Sequence, residues 1–247
     1  MNLGVLTYNI HKGFSSNRDF VLHGMRDQLR TLEVDVALLQ EVVGHHSGHR
    51  AAINDWPETS QFEFLADQVW PHHAYGKNAI ADDRHHGNAI LSKYPFSGWD
   101  NINVSPFQWA SRSILHGNIF IPEANRKLHI INLHLGLLSA ERLRQLQRLN
   151  QHLETIIGEH DAVILGGDFN DWTGRQVSRV LAPHFGLREA YYECHGKFAR
   201  TFPARFPLLS VDRIYYAGLE LDSCTTLDKH AWSRLSDHIP LLARFSL

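Results

Sequence analysis

The sequence predicts an α/β fold of four layers: two packed mixed β-sheets with helices covering both outer faces. Two observations lead there. Short apolar strands alternate with amphipathic helices along the chain, and no low-complexity linker separates them, so one domain spanning residues 1–247 is expected. The chain also contains an internal echo. TYNIHKG at 7–13 and INLHLG at 131–136 are both strand ends reading Asn-apolar-His, with Gly two residues further on. Each is followed by an amphipathic helix and then by an apolar strand that starts at Asp, DVALLQE ending at Glu41 or DAVILGGD ending at Asp168. Two such halves related by a rough two-fold would bury their sheets against each other and gather polar strand ends at one rim.

Leu3–Ile10 reads as the first strand, running into Asn9-Ile10-His11-Lys12-Gly13. Arg18–Leu32 carries Phe20, Val21, Met25, Leu29 and Leu32 at helical spacing. Asp35–Glu41 is a second strand, and Glu58–Trp70 a second helix closed by Pro71. Asn88–Leu91, Ile102–Val104, Ile114–Ile121 and Lys127–Leu133 are strands separated by Gly, Pro and Asp/Asn turns. Ser139–Ile157 is the clearest helix. Ser139 caps it, Glu141 suits its first turn, and Leu143, Leu146, Leu149, Leu153 and Ile157 make one apolar face. The strand from Ala162 ends in Gly166-Gly167-Asp168-Phe169-Asn170, which points Asp168 and Asn170 to one side of the strand's carboxyl end. A turn in which these residues merely cap the next helix is the plain alternative. Arg200–Phe202, Val211–Tyr216, Leu219–Thr225 and Leu241–Leu247 complete the strands.

A net charge of −2 advertises neither a broad basic face for nucleic acid nor an acidic tail, although a local basic groove is compatible with it. Two cysteines are too few for a disulfide framework. MNLGVLTYNI lacks the parts of a signal peptide, and no stretch approaches the ~18 apolar residues of a membrane span. A soluble cytoplasmic protein is expected. Histidine stands out at 18 residues and hints at metal or phosphate chemistry.

Strand ends collect Asn9, Glu41, His134, Asp168, Asn170, Asp212, Asp237 and His238. With TYNIHKG, LLQEV, GNAILSKYP, INLHLG, GGDFND, VDRIYY and SDHIP in this order, the whole chain resembles the endonuclease/exonuclease/phosphatase superfamily, with its DNase I-like four-layer fold. Its nearest likeness is to an uncharacterised bacterial branch of metal-dependent hydrolases. The resemblance implies Mg²⁺, with Mn²⁺ as a substitute, held by Glu41 with Asn9 and Asp237 as further contributors. One or two carboxylates plus substrate oxygens are the usual means of holding such a hard cation. It implies that Asp168 orients or deprotonates an attacking water and that Asn170 holds water or phosphate. His238 would contact the scissile phosphate, oriented by Asp212, and His134 would serve the leaving group or a phosphate oxygen. Abasic-site endonucleases carry an asparagine at the position of His134 and an aspartate at that of His11, so this chain departs from that branch. His11 is then a candidate substrate contact.

His86 and Asn88, just before the strand AILSKYP, are candidate substrate contacts, as is Arg112. Each has a structural alternative, in a turn or on an edge strand. His45, His46 and His49 have spacing that would suit zinc but lack a cysteine or a helical frame. Trp56, Trp70, Trp99, Trp109 and Trp232 read as packing residues, and Trp172, beyond Asn170, as the tryptophan facing a bound group. Arg200–Leu209 reads as a packed loop walling the site. The expected function is Mg²⁺-dependent hydrolysis of a phosphodiester by in-line attack of water. The expected substrate is a phosphate ester: a phospholipid headgroup, a nucleotide or nucleic acid. Alternatives are a nuclease acting on DNA or RNA, a zinc-dependent hydrolase, and a catalytically silent binding domain of the same fold.

Overall fold

The computed structural model describes residues 2–81, 83–105, 112–158 and 161–246. Trp109 and Leu247 lie outside them. In chain order the strands are β1 (Asn2–Asn9), β2 (Val36–His46), β3 (His72–Ala81), β4 (Arg84–Ser92), β5 (Phe96–Asn103), β6 (Ser113–Ile121), β7 (Arg126–His134), β8 (Ala162–Asp168), β9 (Arg188–Glu189), β10 (Asp212–Ala217), β11 (Glu220–Thr226) and β12 (Leu241–Ser246). The helices are α1 (Leu22–Arg30), α2 (Ser47–Ala52), α3 (Gln61–Ala66), α4 (Ser139–Ile156), α5 (Arg175–Val180), α6 (Ala182–Phe185), α7 (Ala190–His195) and α8 (Lys229–Trp232).

Two six-stranded mixed sheets form, ordered β11-β12-β1-β2-β4-β3 and β5-β6-β7-β8-β10-β9. The two orders correspond position by position. In each, one parallel pair (β1 with β2, β7 with β8) sits at the centre, and its neighbours on both sides run antiparallel. The echo between residues 7–13 and 131–136 is thus a true internal repeat of topology.

Alternation along the strands separates three apolar layers. Leu3, Val5, Val36 and Leu38 of the first sheet meet Leu128, Ile130, Ile164 and Ile214 of the second in the central layer. Leu6, Tyr8 and Leu39 face outward onto Leu22, Met25, Leu65 and Trp232. Ile131, Leu133 and Leu165 face outward onto Leu146, Leu149 and Leu153 of α4. Burying each such aliphatic side chain is worth about 1.5–3 kcal/mol. This is the expected four-layer sandwich.

Several boundaries differ from the sequence reading. The helix expected over 18–32 begins only at Leu22, because Phe14 and Phe20 pair as an isolated bridge and Arg18 takes a left-handed φ of 70°. The second expected helix shrinks to Gln61–Ala66: Ser60 and Glu63 form a capping box at its start, and Gln68 turns left-handed beyond its end. The sequence reading missed β3, whose His- and Gly-rich segment has little alternation; Tyr75, Gly76 and Ala74 nevertheless pair with β4. Arg200–Phe202 is no strand, only a bridge from Phe202 to Leu209. On α4, Ser139 is the first helical residue and not its cap; its hydroxyl accepts instead from Gln176 Nε2 at 2.7 Å. Leu143 is 40% exposed, so it leaves the apolar face to Leu146, Leu149 and Leu153.

Candidate active site

The inward-facing positions of the central strands change character as they approach one rim. On β1 the series runs Leu3, Val5, Thr7, Asn9; on β7, Leu128, Ile130, Asn132, His134; on β8, Ala162, Ile164, Gly166, Asp168. Aliphatic residues hold the two sheets together in the middle, and polar ones follow where the sandwich opens. Below the rim, Gln40 Nε2 donates to Asn132 Oδ1 at 2.7 Å, and Asn132 Nδ2 donates to the carbonyls of Leu39 and Ala89 at 2.9 and 2.8 Å. This buried amide pair locks one sheet to the other and sets the distance between the strand ends.

Asp168 lies at the centre of the rim. Strand pairing places His134 directly opposite it on one side and Asp212 on the other. Asn9 Nδ2 donates to Asp168 Oδ2 at 3.2 Å, and the same oxygen lies 3.5 Å from His134 Nε2 and 3.8 Å from His238 Nε2. His238 Nδ1 sits 2.8 Å from Asp212 Oδ2, and its ring packs against Phe202. Ser236 fastens this last segment: its hydroxyl donates to the Asn9 carbonyl at 2.7 Å and accepts from His238 N at 3.2 Å. Asn170 N donates to Asp168 Oδ1 at 3.0 Å while Asn170 Nδ2 holds the Leu135 carbonyl at 3.0 Å.

Several of these residues occupy left-handed backbone: His11 at φ 45°, Lys12 at 59°, Glu41 at 54° and Asn170 at 49°. Each such non-glycine conformation costs on the order of 1 kcal/mol, and strain of this kind clusters at functional sites. At Glu41 it coincides with a register shift in the β2–β4 pairing between Leu39 and Val42. Gly167 has φ 144°, and an added Cβ would strike the Leu133 carbonyl, so only glycine fits beside Asp168.

Charge is distributed unevenly. Burial alone would lower the His238 imidazole, but Asp212, Asp168 and Asp237 together outweigh it and hold the ring protonated well above its ordinary value. Burial pushes Asp168 upward and Asp212 adds to this, while His238 opposes them. His134 is pushed down to about 3 by burial and by Arg112, so it is a neutral imidazole at neutral pH. Burial would raise Glu41, yet nearby cationic groups hold it below the ordinary glutamate range. Lys12, whose Nζ lies 3.7 Å from Glu41 Oε2, contributes to that effect together with His11 and the charged His238.

The donor set suits a hard divalent cation. Glu41 keeps part of its surface open beside the rim, and the buried Asp212 Oδ1 has no hydrogen-bond partner among the described residues. Asp168, Asp212 and His238 can bring one ligand atom each within 4.8 Å of one another. The protonated His238 has no lone pair to give, which leaves the carboxylates of Asp168 and Asp212 as the donors of that group. Asn9 Oδ1 accepts from His11 N at 3.1 Å, and Asp237 Oδ1 lies 3.8 Å from His11 Nδ1.

His86 is half-buried and within electrostatic reach of Glu41, Lys12 and Arg112. Arg112 in turn influences His134. Asn88 is fully buried, its Nδ2 donating to the Ser113 carbonyl at 3.0 Å and so tying β4 to β6, while its Oδ1 has no hydrogen-bond partner among the described residues. His46 and His49 do not make the zinc site that their spacing would suit: their rings stack at 3.6 Å and His46 Nδ1 caps α2 by accepting from His49 N. Lys12 and Ser236 lie inside the motifs TYNIHKG and SDHIP, but nothing in those motifs alone distinguishes them as site residues. Asn132 was legible only through the echo, as the counterpart of Asn9.

This rim of carboxylates, amides and imidazoles on a doubled sandwich matches a known class. The model of the endonuclease/exonuclease/phosphatase family covers residues 6–238, and the chain belongs to that family. Members of the family and fold are hydrolases of phosphoester bonds. Among individual relatives, the chain is 42% identical to the uncharacterized protein YbhP of Escherichia coli K12 over 244 residues, 98% of this chain and 96% of that one. An endonuclease/exonuclease/phosphatase from Beutenbergia cavernae superposes with a TM-score of 0.77 at 18% identity, covering 100% of this chain and 72% of that one. D. rerio TDP2, solved with a single-strand DNA product, superposes with a TM-score of 0.72 at 17% identity, covering 100% and 99%. At these identities the two structures establish the fold.

Proposed function

We propose that the protein is a Mg²⁺-dependent phosphodiesterase that attacks its substrate in line with water. The observation that carries this reading is the convergence on Asp168 Oδ2 of Asn9, His134 and His238 from three separate strand ends and loops, beside a strained Glu41. Asp168 positions the attacking water and takes its proton. A carboxylate raised by burial is a stronger base than a solvated one, as that role requires. His238, kept charged by Asp212, donates from Nε2 to a phosphoryl oxygen as negative charge accumulates there. His134, a neutral ring, assists the leaving oxygen. Asn170 orients Asp168 and the water. A Mg²⁺ held by Glu41, Asn9 and Asp237, or Mn²⁺ in its place, would polarise the phosphoryl oxygens when bound.

Apolar side chains around the mouth support a substrate with an apolar portion beside its phosphate, as in a phospholipid. Leu137 and Leu138 follow His134, Trp172 follows Asn170, and Phe206 and Leu208 lie in the loop before Asp212; all are more than half exposed. A second reading, nucleic acid, is favoured by a different observation. A cavity of about 240 Å³ near Glu41 is lined by Lys12, Arg84 and His46, His49, His85 and His86, a local basic patch within a chain of near-neutral charge. D. rerio TDP2 with its single-strand DNA product lends this reading a precedent on the same fold. The two free cysteines, Cys194 and Cys224, support a reducing, cytoplasmic setting; among the described residues no helix is long and apolar enough to cross a membrane.

The test is metal-dependent hydrolysis of a generic diester, a monoester, DNA and a phospholipid, with Asp168→Ala as control. The expected result is Mg²⁺- or Mn²⁺-dependent cleavage of diesters, reduced at least ~100-fold by the substitution. Turnover that survives Asp168→Ala refutes the assignment of the base, and no turnover of any ester refutes the enzymatic reading.

A further inference from the structure

Beneath α4, on the outer face of the second sheet, lies a cluster of imidazoles that the proposed reaction does not use. His116 on β6 stands directly opposite Asp100 on β5, and His152 reaches down from α4; one ligand atom from each lies within 4.8 Å of the others. His129 lies behind His116, five residues before His134 on β7. At about 3.3 Å per residue, that puts the cluster roughly 16 Å from the catalytic rim.

The proton positions in this cluster follow from one carboxylate. Asp161 accepts from Gly158 N at 2.9 Å and pairs with Lys127 Nζ at 3.4 Å; burial would raise it, but these partners and His129 hold it at about 2. An ionised carboxylate only accepts, so His129 Nε2, 2.9 Å from Asp161 Oδ2, carries its ring's proton. His129 Nδ1 is then bare and accepts from His116 Nε2 at 3.0 Å. His116 Nδ1 is bare in turn. It aims at His152 Nε2, 3.1 Å away, with the Asp100 carboxylate at the solvent edge. Burial lowers all three imidazoles, His116 to about 3, so the rings are neutral and hold lone pairs at neutral pH.

We propose that His116 Nδ1, His152 Nε2 and the Asp100 carboxylate form a zinc-class metal site, separate from the catalytic centre, that ties α4 to the β5–β6 pair. Two nitrogens bound to one tetrahedral zinc at about 2.0–2.1 Å stand roughly 3.3 Å apart, close to the spacing of these two rings. Asp100 is exposed and closes onto the ion by a side-chain rotation, leaving the fourth position to water. The His129–Asp161 chain behind His116 fixes its tautomer and raises its basicity, the usual support for a metal-ligating histidine. Nitrogen donors select zinc or cobalt over the magnesium that suits Glu41. On binding, the His152 proton moves from Nε2 to Nδ1.

The test is titration of the metal-free full-length protein with Co²⁺, and with Zn²⁺ in competition, in excess Mg²⁺. The readouts are visible ligand-field absorption and the ¹⁵N shifts of the histidine rings. One cobalt per chain is expected, displaced by zinc, with the His116 and His152 resonances moving together. His152→Ala and Asp100→Asn alter partly exposed side chains, and circular dichroism of the metal-free variants checks their fold. Loss of the histidine ligand should weaken binding at least ~100-fold, and loss of the carboxylate about 10-fold. Glu41→Gln should leave the cobalt spectrum unchanged while abolishing any magnesium-supported turnover. Absence of cobalt absorption, or binding of unchanged affinity in His152→Ala, overturns the proposal and leaves a hydrogen-bonded histidine chain. Neither result bears on the phosphodiesterase reading.

Discussion

His238 and His116 are both buried, 6% and 1% exposed, and both lie within hydrogen-bonding distance of other ionisable side chains, yet the folded protein holds them in opposite charge states. At the catalytic rim one imidazole is surrounded by three carboxylates, Asp212, Asp168 and Asp237, and their sum outweighs the cost of burying its charge. Beneath α4, three imidazoles are chained to one carboxylate, Asp161, which is already paired with Lys127. There burial wins and the rings stay neutral. Burial alone therefore does not decide the state of a histidine: His238 has Asp212 hydrogen-bonded to its ring at 2.8 Å with two further carboxylates nearby, whereas His134, 3.5 Å from Asp168 but close to Arg112, stays neutral. In the readings proposed above, one cluster donates a proton or stabilises an anion and the other offers lone pairs.

The sharpest way to break this contrast is at its acidic pole. Asp168→Ala should lower kcat ~1,000-fold by removing the base, and thermal melting should show that the fold survives, since a buried carboxylate raised above its ordinary value costs the folded state some stability. Asp212→Asn is expected to reduce kcat/KM by roughly 50-fold at neutral pH and to reshape the pH profile. In the proposed reaction His238 acts in its protonated form, so its raised value, about 10, places the alkaline limb high. Without Asp212 that limb should move down toward the ordinary ~6.5 of histidine. A limb that stays in place would mean that Asp212 does not control the ring.

The neutral histidines make the opposite prediction for stability. The unfolded chain takes up protons below about pH 6.5, while His116 and His134 refuse them until about pH 3. These two histidines should therefore make stability fall as pH drops from 6.5 toward 3, by about 2 kcal/mol each between pH 6.5 and pH 5. Asp168 and Glu189, both raised to about 7 chiefly by burial, take up protons in the folded state and oppose that fall. The difference between urea melts of the native chain and of His116→Phe across that range isolates one histidine's share, and a difference that does not change with pH would contradict it. The smallest effect is expected at the rim. Lys12 is half-exposed beside Glu41, and exposed pairs are worth under ~1 kcal/mol, so Lys12→Ala should change the Mg²⁺ requirement by less than about fivefold.

Much of the molecule was legible in the chain. Apolar alternation and the Asn-apolar-His echo predicted two similar halves, because a buried strand can hardly hide its period. Polar residues ending otherwise apolar strands marked Glu41, Asp168 and His134, since nothing in a sandwich core would tolerate them except at its opening. The sequence could not foresee β3, whose pairing with β4 overrides a weak local pattern, nor that Asn88 turns inward to hold Ser113. It also could not tell one histidine from another. That His238 is charged, that His134 is neutral 3.5 Å from a carboxylate, and that His116 meets His152 depends on which side chains the tertiary fold sets against them. Electrostatic energy falls with distance through space and takes no account of separation along the chain, so the fold alone decides it.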